Sequence, residues 1–123
     1  YKVRAVLLVK GPGVEKADVS RRLALDGLVI TARDGLPAWA YFSSDKVDEM
    51  QLLDVHLRHV LDHVFEKLPT FRRLRARFSI EILANYLSES DYAGFEISRA
   101  SLEALGRLNL DLRFFGSCFI YEQ

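Results

Sequence analysis

The feature that most constrains this chain is its hydrophobic spacing, which switches between two residues and 3.6 residues along 123 positions. Spacing of two residues is typical of strands, and spacing of 3.6 residues is typical of amphipathic helices. The pattern predicts strands over residues 1–10, 28–33, 38–43, 76–86 and 110–121, and helices over 14–25, 47–68 and 99–108. The predicted order of elements is therefore β-α-β-β-α-β-α-β.

This order places the chain in the α+β class. Its first six elements match the split β-α-β arrangement of ferredoxin-like folds, and the last helix and strand extend that core. We therefore expect one mostly antiparallel sheet with helices on one face. A chain of 123 residues has room for one domain, which we expect to span residues 1–123. The last strand is apolar on both faces near its end, which predicts a central position in the sheet.

Several residues mark the expected ends and faces of these elements. Gly27 is expected to end the first helix, and Pro69 is expected to end the long one. The dipeptide Asp34-Gly35 predicts a hairpin turn between two strands, and Ser98 predicts the N-cap of the last helix. That helix is expected to turn three leucines inward: Leu102, Leu105 and Leu108.

Composition narrows the class of protein. The 17 Lys and Arg residues balance the 17 Asp and Glu residues, and a formal net charge of zero argues against a globally basic nucleic-acid binder. The single cysteine allows no internal disulfide, which suits a reducing compartment. No stretch reaches the roughly 18–20 apolar residues of a membrane helix, and the first residues do not follow a signal-peptide pattern. We therefore expect a cytoplasmic protein with no membrane partner.

All three histidines lie on the predicted long helix, at His56, His59 and His63. Their spacing places them in one stripe, roughly 110° from the centre of the leucine face, so we expect them at the sheet boundary or in solvent. Histidines three or four residues apart can share a zinc or nickel ion. His56 and His63 lie about 10.5 Å apart along a straight helix, so one ion would use His59, one neighbour and a ligand from another element. The alternative is that all three are solvated or partly packed.

A run of cations follows the long helix. Phe71 precedes Arg72, Arg73, Arg75 and Arg77, and no acidic residue interrupts the run. On a strand the last three arginines would share one face. Arginine offers a planar fork for carboxylates and phosphates, so the run predicts a contact surface for an acidic protein or a nucleic acid. The alternative is a solvated strand edge that its charge protects from aggregation.

The C-terminal third has the opposite charge balance. From Phe78 onward the chain carries seven acidic residues and only three basic ones. A basic segment beside an acidic region gives two complementary poles, which would steer a protein partner. The alternative is that the two sets of charges pair with each other within the fold.

Aromatic and nucleophilic residues give weaker signals. Trp39 and Tyr41 share one side of the third predicted strand, and Phe42 lies on the other. Such aromatics usually pack in a core, although an outward-facing pair would indicate a binding hot spot. Cys118 is expected to be a small buried residue of the last strand. The sequence has no glycine-rich phosphate loop and no Gly-x-Ser-x-Gly motif, so a binding protein is favoured over an enzyme.

Three segments of the C-terminal half combine into a further pattern. They are residues 78–82 (Phe-Ser-Ile-Glu-Ile), 91–98 (Asp-Tyr-Ala-Gly-Phe-Glu-Ile-Ser) and the leucine-rich stretch 102–112. Together with Trp39 after the Asp34-Gly35 turn, they resemble a bacterial family, domain of unknown function 4279. The shared motifs are structural, and the family has no assigned activity. By analogy, the resemblance implies an immunity-type protein that binds and neutralises a toxin.

The sequence therefore favours a small bacterial protein-interaction module without a cofactor. Its contact residues would be Phe71, Arg72, Arg73, Arg75 and Arg77. The alternative is a metal- or small-ligand-binding domain, conceivably an enzyme. Its zinc or nickel ligands would be His56, His59 and His63, at most two for each ion. A nucleic-acid binder is the least favoured class, because the net charge is zero.

Overall fold

Five strands and four helices make up the described part of the chain, residues 2–87 and 96–115 of a computed structural model. They are β1 (Lys2–Lys10), α1 (Lys16–Leu23), β2 (Leu28–Thr31), β3 (Pro37–Phe42), α2 (Leu53–Glu66), α3 (Leu68–Arg75), β4 (Ser79–Leu87), α4 (Arg99–Leu108) and β5 (Leu112–Phe115). A single 3-10 turn, Ser43–Asp45, follows β3. The α+β class is confirmed.

The strands form one mixed sheet in the order β2-β3-β1-β4-β5. Strand β1 is antiparallel to both of its neighbours, β3 and β4, and β2 is antiparallel to β3. Strand β5 runs parallel to β4. The sheet is therefore mostly antiparallel, as expected, while the ferredoxin-like description stays a prediction. Among the described residues β5 pairs with β4 alone, so the predicted central position of the last strand is wrong.

The main core lies on one face of the sheet. Alternate residues of β1 point into it, from Val3 to Val9, beside Trp39 and Tyr41 of β3. Each of the four helices contributes buried side chains to the same cluster, so all of them pack on this face. Trp39 is fully buried and Tyr41 nearly so. The core interpretation of these two aromatics is confirmed, and the hot-spot interpretation is wrong.

The opposite face of the sheet, which none of the four described helices covers, is called the helix-free face below. Val6 and Leu8 of β1 form a second apolar cluster there with Ala38 and Ala40 of β3. Phe42 packs against its edge, because its side chain points away from Trp39 and Tyr41 along the strand.

The predicted long helix corresponds to α2 alone, and α3 is a further helix that the pattern did not predict. The chain before α2 is held by a turn in which the Asp48 side chain accepts the Met50 N–H at 2.8 Å, so α2 begins only at Leu53. After α2 ends, Pro69 lies in the first turn of α3. A proline fits that position because its missing N–H has no partner in a first turn. The long helix therefore ends before Pro69 as expected, although at Glu66, and Pro69 itself belongs to the next helix.

The ends of the other two helices differ in part from expectation. The last residue of α1 is followed by Ala24 in the left-handed conformation, so Gly27 does not end that helix. Ser98 caps α4 as expected, because its side chain accepts the Ser101 N–H at 3.1 Å. Leu105 and Leu108 of α4 face inward as expected, but Leu102 is 55% exposed, contrary to expectation.

The predictions for Cys118 and for the stretch 88–95 lie outside the described residues. Among the residues that the structure describes, no helix is long and apolar enough to cross a membrane.

Candidate functional site

His56 lies at the centre of a buried hydrogen-bond network. Its Nε2 is 3.0 Å from the Asp48 carbonyl oxygen, which only accepts, so this nitrogen carries the proton. Its Nδ1 therefore accepts the Ser43 hydroxyl at 2.6 Å, and the Ser43 oxygen accepts the Ala5 N–H at 2.8 Å. His56 and Ser43 are both fully buried. The expectation that this histidine lies in solvent or at the sheet boundary is wrong, because the first turn of α2 is pressed against the end of β3.

This Ser43–His56 pair has the atoms of a nucleophile and a base, but its contacts give it a structural role. Both ring nitrogens and the serine oxygen have protein partners, and none of these atoms faces solvent. A serine nucleophile must reach its substrate. The pair therefore ties β1, β3 and α2 together.

His59 and His63 form a second, half-buried group. The Tyr41 hydroxyl is 2.7 Å from Nε2 of His59, and Nδ1 of His63 donates to the His59 carbonyl oxygen at 3.0 Å. The two imidazole rings lie 4.8 Å apart between centroids. With both nitrogens of His56 bonded, the three-histidine stripe is reduced to this pair. Within residues 2–87 and 96–115, no three His, Cys, Asp or Glu side chains are grouped to hold a metal ion. Zinc or nickel binding stays a prediction.

Burial sets the protonation of these groups. Removal from water lowers the pKa of His56, and the carbonyl of Asp48 offsets the shift only in part. Burial also lowers the pKa of His59, with a smaller contribution from the charge of His63. For Tyr41, burial raises the pKa of the phenol. The lowered pKa of His59 and the raised pKa of Tyr41 therefore favour a neutral imidazole beside a protonated phenol near pH 7.

The arginine run is helical, so the structure does not align it on a strand face. Phe71 is buried in the core with Leu74, and this i, i+3 pair is the inward face of α3. Arg72 and Arg73 consequently lie on its exposed side. The strand prediction was wrong because alternation of arginines cannot reveal which apolar residues are buried.

Arg75 differs from the other arginines of the run in its contacts. Its guanidinium donates to the carbonyl oxygens of Leu108 and Asn109, where α4 ends. These contacts provide partners for carbonyls that the helix leaves unbonded. Arg77 instead lies over the ring of Phe78, at 5.1 Å from its centroid. The five predicted contact residues therefore divide into a buried Phe71, a structural Arg75 and three exposed arginines.

The exposed arginines of the run differ from five other described arginines, which form ion pairs with carboxylates, although Arg33 and Arg107 also form none with a described carboxylate. Arg58 pairs with Asp62 at 3.1 Å, and four other arginines form similar ion pairs. Among the described residues, no carboxylate pairs with Arg72, Arg73 or Arg77. Among the described acids of the C-terminal third, Glu103 pairs with Arg99 and Glu81 pairs with Arg113. The alternative of charge pairing within the fold therefore does not describe this run.

The helix-free face holds a cavity that the sequence did not reveal. Its volume is about 390 Å³, and Leu8 at the centre of the sheet lies in its wall. Charged residues line it in pairs: Lys10 with Asp34 at 3.0 Å, and Arg113 with Glu81 at 3.2 Å. These residues are far apart in sequence, and only the strand order brings them to one face.

Comparisons with known proteins give no relative. No family model, curated protein or solved structure matches the chain. The resemblance to domain of unknown function 4279 therefore stays a prediction.

Proposed function

We propose that this chain is a small protein-interaction module, which binds an acidic protein through the exposed side of α3. The contact residues are Arg72 and Arg73, together with Arg77 just beyond the helix. The observation that carries the proposal is that these cations have no carboxylate partner among the described residues. An unpaired cationic surface on a chain of zero net charge suits a partner of opposite charge.

The proposal keeps two finer expectations. The family resemblance suggests an immunity-type protein, whose acidic partner would be a toxin that it neutralises. The single cysteine is in keeping with a reducing cytoplasm as the place of action.

Buried Phe71 and structural Arg75 are not part of this surface. Reversal of the charge at Arg75 would remove the guanidinium donors that bind the carbonyl oxygens at the end of α4, and would disturb the fold. The charge-reversal test therefore uses Arg72 and Arg73, whose side chains are exposed.

The test is affinity capture from a lysate of the source cells, with three immobilised proteins. They are the wild type, the double variant R72E/R73E and the control R58E/R99E, which changes the net charge equally on α2 and α4. We expect one acidic protein on the wild type and the control, at least tenfold depleted on R72E/R73E, and released by raised salt.

Two results would contradict the proposal. One is the same set of captured proteins on all three baits. The other is selective loss of nucleic acid rather than protein from R72E/R73E, which would make the surface a nucleic-acid interface with a steep salt dependence.

A further inference from the structure

We propose that the cavity on the helix-free face binds a small organic anion, with its apolar body on the sheet and its carboxylate at Arg33. This site does not depend on α3, which packs on the other face of the sheet. It is a second binding function, separate from the protein contact proposed above.

Curvature of the sheet forms the cavity. Arg33 follows β2 at one edge of the sheet, and Phe115 ends β5 at the other. In a flat sheet these edges would lie about 19 Å apart, at about 4.8 Å for each of four strand spacings. The Arg33 guanidinium nevertheless lies 5.1 Å from the centroid of the Phe115 ring. The helix-free face is therefore concave, and this contact spans the cavity from edge to edge.

The floor of the cavity is apolar. Leu8 of β1, Ile30 of β2 and Leu83 of β4 line it from three strands. Its volume of about 390 Å³ falls in the usual range of small-molecule sites, which is roughly 300–1,000 Å³. Removal of apolar ligand surface from water over this floor would supply most of the affinity.

Of the charged side chains that line the cavity, one cation has no acidic partner among the described residues. Lys10 is neutralised by Asp34, and Arg113 by the buried carboxylate of Glu81. Arg33 has a ring beside it, but it pairs with no carboxylate of the described residues. Three cations and two anions therefore give the lining a net charge of +1.

This arrangement selects the ligand class. A guanidinium binds a carboxylate through two parallel N–H···O bonds, and an apolar body can lie on the floor that Leu8, Ile30 and Leu83 form. A single negative charge matches the net charge of the lining, whereas a cation would be repelled by Arg33. The ligand is therefore a monocarboxylate with an apolar body.

The test uses two probes of the same shape, 2-naphthoate and the neutral 2-naphthamide, titrated into the full chain. Binding is followed by the NMR shifts of the Leu8, Ile30 and Leu83 methyl groups. We expect naphthoate to bind at least tenfold more tightly than naphthamide. The substitution Arg33→Gln should remove that preference and leave naphthamide binding unchanged, while the control Arg21→Gln on α1 should change neither.

A charge swap gives a gain of binding as a second readout. In Arg33→Glu, 2-naphthylmethylammonium should bind at least tenfold more tightly than it does to the wild type. The proposal is overturned if the cavity methyls do not shift with millimolar naphthoate, if both probes bind equally, or if Arg33→Gln leaves the preference intact.

Discussion

His56 shows how one residue's surroundings override its position on a helix. The sequence places it in a stripe away from the leucines, yet it is fully buried, with Ser43 on one ring nitrogen and the Asp48 carbonyl on the other. Burial away from water disfavours the charged imidazolium and lowers the pKa of His56, so this imidazole is held neutral.

The first prediction at this scale concerns pH. The pKa values of His56 and His59 are lowered in the folded chain, so below about pH 6.5 the unfolded chain binds more protons. The free energy of unfolding should therefore fall as the pH is lowered from about 6.5 to 5, by at most about 1.4 kcal/mol per pH unit for each histidine. Urea unfolding at a series of pH values measures this slope.

The control for that slope is the double variant H56Q/H59Q, which is expected to be less stable at every pH but to lose most of the dependence between pH 5 and 6.5. The carboxylates of Asp18 and Asp34 do not contribute to the change in stability between pH 5 and 6.5. The pKa values of Asp18 and Asp34 are lowered by their cationic and backbone partners, so their contribution is lost only below about pH 4. An unchanged slope in the double variant would contradict the assignment.

The connection from α1 to β2 packs closely against Trp39 of β3. Ser20 of α1 accepts the Trp39 indole N–H at 2.9 Å and the Gly27 N–H at 3.3 Å. A Cβ at Gly27 would overlap the indole ring of Trp39, which is fully buried. The glycine that the sequence suggested as a helix end is instead the place where the chain passes the core tryptophan.

A pair of glycine substitutions tests this close approach. Gly27→Ala should lower the free energy of unfolding by about 2–4 kcal/mol, because the core must shift to admit a methyl group. Gly106→Ala should raise it by about 0.5–1 kcal/mol, since Gly106 is exposed inside α4 with open space around its Cα. Chemical denaturation of both variants is the measurement. Equal effects would show that Trp39 does not press on Gly27.

The sequence patterns predicted the presence of helices and strands better than the residues at which they end. The alternation of β4, the Asp34-Gly35 hairpin and the Ser98 cap follow from local chemistry and are present. Helix α3 was missed because a proline after a helix is compatible both with a loop and with the first turn of another helix. Which arginines are exposed could not be known before α3 placed Phe71 inward.

At the scale of the whole molecule, the sheet separates two surfaces. The helices, including α3 with its unpaired arginines, cover one face, and the cavity opens on the other. The sequence singled out the arginine run from its charge alone. It gave no sign of the cavity, because Lys10, Arg33 and Arg113 come together only through the strand order and the curvature.

The central claim is that an acidic protein binds to Arg72 and Arg73, and the kinetics of that association test it most directly. With the captured partner in hand, stopped-flow mixing measures the association rate constant at several salt concentrations. We expect a rate that falls as salt rises, and a rate about tenfold lower for R72E/R73E than for R58E/R99E at low salt. Equal association rates for the two variants, unaffected by salt, would contradict the account.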